Sequence, residues 1–350
     1  MLVRLFSVAQ VFDRDGAPLR RVLFVRPGGL GDALLLLPVI EAFMCKFPDA
    51  EIAVLAEARN RAAFVFLSRQ VSVETYMQLG AFFRLRRKRY DLIIDTEQWY
   101  YLSAIYARLL KPKRLIGFET NERRRLLTDR VSYSPKDYEV NCFYRLLNPL
   151  GDCFDLSDKL PQIEIDSQIV KRTRTSFGLD EKRTKIAVFP GASVPEKCWP
   201  TRHYIQMCTE LEAMDCQIII VGAALERSVA AEIASSISCL NLAGLTTLEE
   251  TAAVLGCMDL LVTGDSAMLH LAASLNTSTL SLFGPTCADK WAPRGERHAS
   301  LKAQLDCMPC SRYGHVPRCP HHVKCLEELT PEKVLGAAKK LLSAEKEVGR

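Results

Sequence analysis

Residues 21–38, RVLFVRPGGLGDALLLLP, join a strand pattern to a helix pattern through a glycine loop. Arg21–Arg26 is typical of a buried strand, and Leu34–Phe47 of an amphipathic helix. Glycines between such elements let backbone N–H groups approach an anion closely. They are Gly28, Gly29 and Gly31. The loop nevertheless has no P-loop lysine and no third glycine at dinucleotide-binding spacing, and it ends on Asp32.

Asp32 has two interpretations. It can cap the helix that follows, because a carboxylate accepts hydrogen bonds from unpaired N–H groups at a helix start. It can also act as a general base, because a carboxylate beside a ligand can take a proton from an attacking hydroxyl. This loop alone leaves both open.

Length and composition indicate a globular protein of two domains. The chain has 350 residues, of which 48% are hydrophobic and 25% charged, which excludes disordered and fibrous classes. Its longest apolar run, Ala33–Ile40, contains Pro38 and is far shorter than the roughly 20 residues that span a bilayer. Charged residues in the first twenty positions are unlike a secretory signal. We therefore expect a cytoplasmic protein.

Charge is distributed unevenly. Residues 1–175 contain 28 basic and 21 acidic side chains, whereas residues 176–350 contain 18 and 20. The excess in the first half suits an anionic partner, although solvated charged faces are the ordinary alternative. The densest basic groups are Arg84, Arg86, Arg87, Lys88 and Arg89, followed by Arg123, Arg124 and Arg125.

Strands alternate with helices in both halves, which is typical of βαβ units and parallel sheets. The predicted strands are Arg21–Arg26, Glu51–Ala56, Leu92–Asp95, Lys185–Phe189, Gln217–Val221, Leu260–Val262 and Thr279–Phe283. The predicted helices are Leu34–Phe47, His203–Met214, Glu226–Ser235, Met268–Ser274 and a terminal helix to about Ala344. This pattern predicts an α/β protein with two doubly wound parallel-sheet domains. Ligands of such sheets bind beyond the carboxyl ends of the strands.

Three segments of the second half carry polar residues just after strands. PGASVPEKCWP, residues 190–200, offers Ser193 and Lys197 as an anion pocket, the alternative being a surface loop. GDSAMLH, residues 264–270, places Asp265 and Ser266 at a helix start, with His270 a turn later; the alternative is a structural histidine. Glu226 follows a strand end and suits ribose hydroxyls, or is an ordinary exposed glutamate.

The ordered motifs resemble those of the ADP-heptose:lipopolysaccharide heptosyltransferases, glycosyltransferase family 9. They are R-x-G-G-L-G-D, P-G-A-S-x-x-x-K-x-W-P, V-G-x-x-x-E, N-L-A-G-x-T-x-L, G-D-S-x-x-x-H-x-A-A and L-F-G-P-T. The resemblance implies a GT-B fold, two Rossmann-like domains facing a cleft. It implies an acceptor domain over 21–165 and a nucleotide-sugar domain over 166–329, whereas residues 1–20 precede the matching motifs and are expected to be an N-terminal extension. A helix over 330–350 would cross back to the first domain.

The resemblance also implies residue roles. Asp32 matches the catalytic base, and Lys197 matches the cation that neutralises the donor phosphates. The other donor-binding positions implied are Ser193, Glu226, Gly244 near the adenine, Asp265, Ser266, Ala267 and His270. The family usually has glycine where this chain has Ala267, so a methyl group there could shift the closest amide–phosphate contact.

We expect an inverting heptosyltransferase that uses ADP-heptose and a lipopolysaccharide inner-core acceptor. It would need no cofactor for catalysis and have no nucleic-acid partner. The basic groups of the first half could meet the acceptor or an anionic inner-membrane surface. Three alternatives stay open: a nucleotide-sugar epimerase, an inactive sugar-nucleotide-binding protein, and the same chemistry on a protein or another surface glycan.

Four of the thirteen cysteines are clustered near the end of the chain. Cys307, Cys310, Cys319 and Cys325 have the spacing C-x2-C-x8-C-x5-C. The first pair has metal-site spacing, but the second pair is too wide for a routine zinc ribbon. A structural Zn or Fe ion at this cluster is therefore a hypothesis, beside reduced core thiols.

Overall fold

The computed structural model describes residues 19–78, 80–151, 162–180 and 182–348. Residues 1–18, most of the expected N-terminal extension, lie outside the described residues. The chain divides into two compact units, unit 1 (Met1–Lys159) and unit 2 (Leu160–Arg350).

Unit 1 contains one six-stranded parallel sheet. Its strands are β1 (Arg21–Arg26), β2 (Glu51–Ala56), β3 (Ser72–Thr75), β4 (Leu92–Asp95), β5 (Arg114–Phe118) and β6 (Asp129–Val131). They lie in the order β3-β2-β1-β4-β5-β6. The helices are α1 (Leu30–Lys46), α2 (Ala81–Lys88), α3 (Tyr101–Leu109) and α4 (Glu139–Arg145). The inner strands are almost fully buried, as expected for a parallel sheet covered on both faces.

Unit 2 repeats this topology. Its strands are β7 (Lys185–Phe189), β8 (Gln217–Ile220), β9 (Leu240–Asn241), β10 (Leu260–Gly264), β11 (Thr279–Phe283) and β12 (His298–Lys302). Their order is β12-β11-β10-β7-β8-β9, again entirely parallel. The helices are α5 (Ser167–Phe177), α6 (Thr201–Ala213), α7 (Arg227–Ala234), α8 (Leu248–Leu255), α9 (Ala267–Ser274), α10 (Ala288–Trp291), α11 (Lys324–Glu327) and α12 (Pro331–Val348).

The predicted α/β class with two parallel sheets is confirmed. Strands β1, β2, β4, β7 and β11 have the predicted bounds. Strand β8 ends one residue earlier than predicted and β10 two residues later. Sequence patterns missed β3, β5, β6, β9 and β12, of which all but β5 are short or partly exposed and therefore carry weak apolar signals. Helix α1 begins four residues earlier than predicted, because the extended backbone at Gly29 starts the helix at Leu30.

Trp199 anchors the core of unit 2, as its apolar character predicts. Its ring is buried between aromatic neighbours, 4.8 Å from the Tyr204 ring centroid, and its indole N–H donates to the Leu329 carbonyl at 2.8 Å. That bond fixes the chain just before α12. On α12, Val334 and Ala338 are fully buried in the same core. The terminal helix is therefore part of the hydrophobic core of unit 2.

Unit 1 holds a fully buried ion pair. The Arg123 guanidinium contacts the Asp95 carboxylate at the end of β4, and both side chains have no exposed surface. Arg123 also donates to the Glu97 carbonyl, and the Ser103 hydroxyl donates to Asp95 at 3.1 Å. Removing one partner of such a pair leaves an uncompensated buried charge, which costs far more than the pair contributes.

Asp95→Ala is expected to lower the free energy of unfolding of unit 1 by about 3–5 kcal/mol, because Arg123 is left buried without its counter-ion. Urea unfolding followed by fluorescence would measure it, with Asp49→Ala on the exposed surface as the matched control. The double variant Asp95→Ala/Arg123→Met should recover part of the loss. A single-variant cost equal to the control would contradict the assignment.

Candidate functional site

Both sheets reverse strand order at a corresponding point. In unit 1 the reversal lies between β1 and β4, and in unit 2 between β7 and β10. Connections leave these neighbouring strands toward opposite faces, so the carboxyl ends there form a crevice in which ligands of doubly wound sheets bind. The segments that follow β1, β7 and β10 are the three with the strongest sequence motifs.

In unit 1, Asp32 lies in the first turn of α1. It is the third residue of the helix, and Gly29 holds the N-cap position, so Asp32 caps the helix from within its first turn rather than from the N-cap position. The Asp32 Oδ2 accepts the Gly29 N–H at 3.3 Å, a long bond. In the part of the chain that the structure describes, this is the one hydrogen bond of the carboxylate. One carboxylate oxygen is therefore available to a ligand.

Arg26, at the end of β1, lies beside Asp32. Its buried guanidinium donates to the carbonyls of Pro27 and Thr96 at 2.5 and 3.0 Å and lies 3.6 Å from the Glu97 carboxylate. Gly28, with φ of +101°, separates Arg26 from Asp32. A Cβ atom at Gly28 would lie 3.1 Å from Arg26 Nη2 and 3.4 Å from Asp32 Oδ2. Glycine is therefore required at position 28 for two reasons. Its backbone has a positive φ, and a Cβ atom would lie too close to the charged side chains of Arg26 and Asp32.

Two further carboxylates influence Asp32. Glu139 on α4 is fully buried and accepts hydrogen bonds from the Gln98 amide and, at 3.0 Å, from the Tyr133 hydroxyl. Burial raises the pKa of Asp32 above its usual range; Arg26 opposes this, whereas Glu139 and Glu97 add to it. A carboxylate with a raised pKa is a stronger base than an ordinary surface aspartate.

In unit 2, Lys197 and Asp265 form a close ion pair. Lys197 Nζ lies 2.6 Å from Asp265 Oδ2, and both side chains are largely buried. The Lys197 carbonyl would lie only 2.8 Å from a Cβ at Gly264, so the missing side chain at Gly264 permits this approach. The structure thus brings together the segments after β7 and β10 that the sequence marked separately.

Burial sets the protonation states around this pair. It lowers the pKa of His270 to about 4, so the ring is neutral at physiological pH. Burial alone would raise the pKa of Asp265, but Lys197 and His270 hold it below its usual range. The Thr286 hydroxyl lies beside Asp265, but it makes no hydrogen bond of good geometry with any described residue. A buried cation, a neutral imidazole and an unpaired hydroxyl therefore surround one carboxylate.

The N-terminus of α9 lies next to the Lys197–Asp265 pair, because Asp265 directly precedes its N-cap residue. Ser266 is its N-cap: the hydroxyl lies 3.0 Å from the Thr263 hydroxyl and accepts the Leu269 N–H at 3.4 Å. Ala267 is the first residue of the helix, so its N–H is among the unpaired donors of a helix N-terminus. Ser193 lies exposed in the loop after β7.

Glu226 fits against two glycines. A Cβ at Gly191 would lie 2.5 Å from Glu226 Cγ, and one at Gly222 would lie 2.8 Å from Glu226 Cβ. One Glu226 oxygen accepts the Ala223 N–H at 2.8 Å. The next residue, Arg227, donates to the Gly244 carbonyl at 2.8 Å, which joins this turn to the loop that carries Gly244.

The four clustered cysteines line one small pocket, together with His321. Burial raises the pKa of Cys325 to about 11 and raises that of Cys310, which favours thiols over thiolates. Among the described residues, no three Cys, His, Asp or Glu side chains are placed to hold a metal ion. The donor types would suit Zn or Fe, but this arrangement does not fit either ion, and the metal hypothesis stays a prediction.

Sequence patterns missed several site residues. Arg26 and Glu97 lie at or just after strand ends, where the topology rule could have found them. Arg227 follows the acid that was identified, and Thr286 lies in the motif L-F-G-P-T. Glu139 had no signal, because it is one polar residue in a helix remote in sequence from its contacts.

In the ranges that the structure describes, no helix combines the length and apolar character needed to cross a bilayer.

A family profile and individual relatives of known function indicate the same protein family. The profile of glycosyltransferase family 9 (heptosyltransferase) matches residues 81–320. Lipopolysaccharide heptosyltransferase 2 of Escherichia coli K12 is 26% identical, over 93% of this chain and 99% of that protein. Lipooligosaccharide heptosyltransferase 2 of Campylobacter jejuni is 26% identical, over 90% and 96%.

Solved structures show the same fold. The Escherichia coli ADP-heptose lipopolysaccharide heptosyltransferase II superposes with a TM-score of 0.76 at 23% identity, over 93% of this chain and 99% of that one. A family 9 glycosyltransferase of Veillonella parvula superposes with a TM-score of 0.79 at 18% identity, over 93% and 98%. The GT-B fold expected from the sequence is confirmed.

The His270 ring is expected to titrate near pH 4 rather than near the usual 6.5. Because the unfolded chain binds this proton at higher pH, the free energy of unfolding should fall as pH drops from about 6.5 to 4. Ring-proton NMR would give the midpoint, with the signal assigned through His270→Gln, and that variant should show a shallower fall. A midpoint close to 6.5 would contradict the burial argument.

Proposed function

The chain belongs to glycosyltransferase family 9, and we propose that it transfers heptose from ADP-heptose to a lipopolysaccharide inner-core acceptor at the cytoplasmic face of the inner membrane. The observation that carries this proposal is the Lys197–Asp265 pair at the strand reversal of unit 2, matched by Asp32 at the reversal of unit 1. The named relatives support the sugar and the acceptor class.

Unit 2 is suited to a nucleotide diphosphate. Lys197 supplies a positive charge, and the N-terminus of α9 supplies unpaired N–H groups beside it. When the bond between sugar and diphosphate breaks, negative charge develops on the leaving oxygen. A fixed cation and aligned N–H donors stabilise that charge without reorganising. Glu226 would bind the ribose hydroxyls through the oxygen that does not cap Ala223.

Unit 1 is suited to activating the acceptor. A sugar hydroxyl is a weak nucleophile, and a base that takes its proton during attack contributes roughly 100-fold or more. Asp32 has a raised pKa and a free oxygen, both of which this role requires. The hydroxyl would attack the anomeric carbon from the face opposite the diphosphate. One bond forms as the other breaks, so the configuration at that carbon inverts.

Asp32→Asn is expected to lower kcat by about 100-fold or more while leaving the Kd for ADP-heptose nearly unchanged, because the amide keeps the shape but cannot accept a proton. Steady-state kinetics and calorimetry would measure the two quantities. Asp166→Asn, which alters the exposed N-cap of α5, is the matched control for capping. A wild-type kcat for Asp32→Asn would remove the residue from its role.

Lys197→Met should weaken binding of ADP by about 10- to 100-fold, since a charge-assisted contact to phosphate contributes roughly 1.5–3 kcal/mol. AMP, which lacks the second phosphate, should lose less affinity than ADP. Calorimetry with both nucleotides tests this, and Lys171→Met on the exposed face of α5 is the control. Equal ADP affinity in Lys197→Met and wild type would contradict the phosphate assignment.

A further inference from the structure

Helix α3 in unit 1 presents large apolar side chains to solvent. Its exposed residues are Tyr101, Leu102, Ile105, Arg108 and Leu109, so four of the five are apolar or aromatic. Leu102 is 72% exposed and Leu109 53%. Trp99 and Tyr100, just before the helix, are exposed as well. A surface helix of a globular protein normally shows the opposite pattern.

The buried face of α3 consists of small residues, Ser103, Ala104 and Ala107. Apart from Tyr106, which packs against the core of unit 1, the helix thus contacts its own unit through short side chains and directs its long ones outward. The large side chains therefore contribute little to the core of unit 1. An apolar patch of this kind marks an interaction surface.

Helix α2 extends the surface. The Arg86 guanidinium donates to the Leu109 carbonyl, which places the carboxyl-terminal ends of α2 and α3 side by side. The Phe82 ring contacts the Tyr106 ring edge-on at 5.3 Å and the Phe83 ring at 5.6 Å. Phe83 is 66% exposed, so the apolar character continues from α3 onto α2.

Positive charge without acidic partners surrounds these apolar groups. Neither α2 nor α3 contains an acidic residue. Arg84 on α2 is exposed and pairs with Glu74. Four other exposed cations lie on or just after the two helices: Arg87, Arg89, Arg108 and Lys111. None of the four pairs with a carboxylate anywhere in the described ranges. The partner must therefore offer an apolar interior together with negatively charged groups.

We propose that this surface docks on an anionic phospholipid bilayer; we call it the α3 surface. It comprises Trp99, Tyr100, Tyr101, Leu102, Ile105 and Leu109, with the four cations at its margin. Leucine and isoleucine side chains enter the acyl boundary, tryptophan and tyrosine lie at the headgroup level, and the cations meet lipid phosphates. The inference rests on the proposed function for one point only, that a lipid-borne acceptor lies at a membrane.

A second copy of the chain fits this surface less well. Two α3 surfaces in contact would bring both sets of unpaired cations together, and like charges facing each other disfavour association. A bilayer instead supplies negative headgroups around an apolar interior. The observations on charge therefore favour lipid over self-association.

The test is co-sedimentation of the full chain with vesicles, without any substrate. Wild type should bind vesicles that contain phosphatidylglycerol and bind pure phosphatidylcholine vesicles weakly. Raising salt to about 0.5 M should weaken binding, because it screens the cations. Leu102→Ser/Ile105→Ser/Leu109→Ser should reduce the partition coefficient at least about tenfold, because three apolar groups no longer enter the lipid.

Val65→Ser/Met77→Ser removes two other exposed apolar side chains of unit 1 and should bind like wild type. The triple variant should keep the wild-type melting temperature and the wild-type rate on a water-soluble acceptor. Equal vesicle binding by the triple variant and wild type would overturn the proposal. So would a wild-type dimer that the triple variant abolishes. Loss of activity in Asp32→Asn with normal vesicle binding would leave it standing.

Discussion

At the middle of each sheet, two neighbouring parallel strands send their connections to opposite faces, which forms a crevice at their carboxyl ends. Polar and charged groups can collect only there, because the strands themselves are buried on both faces. A charge placed at such a half-buried edge needs a compensating partner. The strand order thus determines where the sites are, and the charges at each site include groups of opposite sign.

The two units meet this requirement differently. In unit 2 one cation and one acid pair directly, Lys197 with Asp265, and the nearby His270 stays neutral because it is buried. In unit 1 a single cation, Arg26, lies among three carboxylates, Asp32, Glu97 and Glu139. An anionic phosphate is compatible with the first arrangement. A proton is compatible with the second, where an excess of carboxylates favours its uptake.

Sequence patterns could locate the residues that follow strands, since strand, glycine loop and helix are all encoded within a few neighbouring positions. Asp32, Lys197 and Asp265 are candidates of this kind, and the structure places each of them after a strand. Contacts between segments far apart in the chain could not be found, as the hydrogen bond from Gln98 to Glu139 illustrates. The exposure of side chains was not predictable either: Leu102, Ile105 and Leu109 are apolar, yet they lie on the exposed face of α3. The cysteine spacing suggested a metal site, but their joint cavity shows proximity without ligand geometry.

The environment of Asp32 explains why a glycine loop ends on an acid. Burial and two neighbouring carboxylates raise the pKa of Asp32, which makes it a stronger base when it is ionised. Arg26 opposes that shift from the adjacent strand end, and Gly28 leaves room for both groups. A lysine at position 32 would bind phosphate but could not perform this role. Under the proposed function, the loop would keep the backbone of an anion site while its chemistry would change to proton removal.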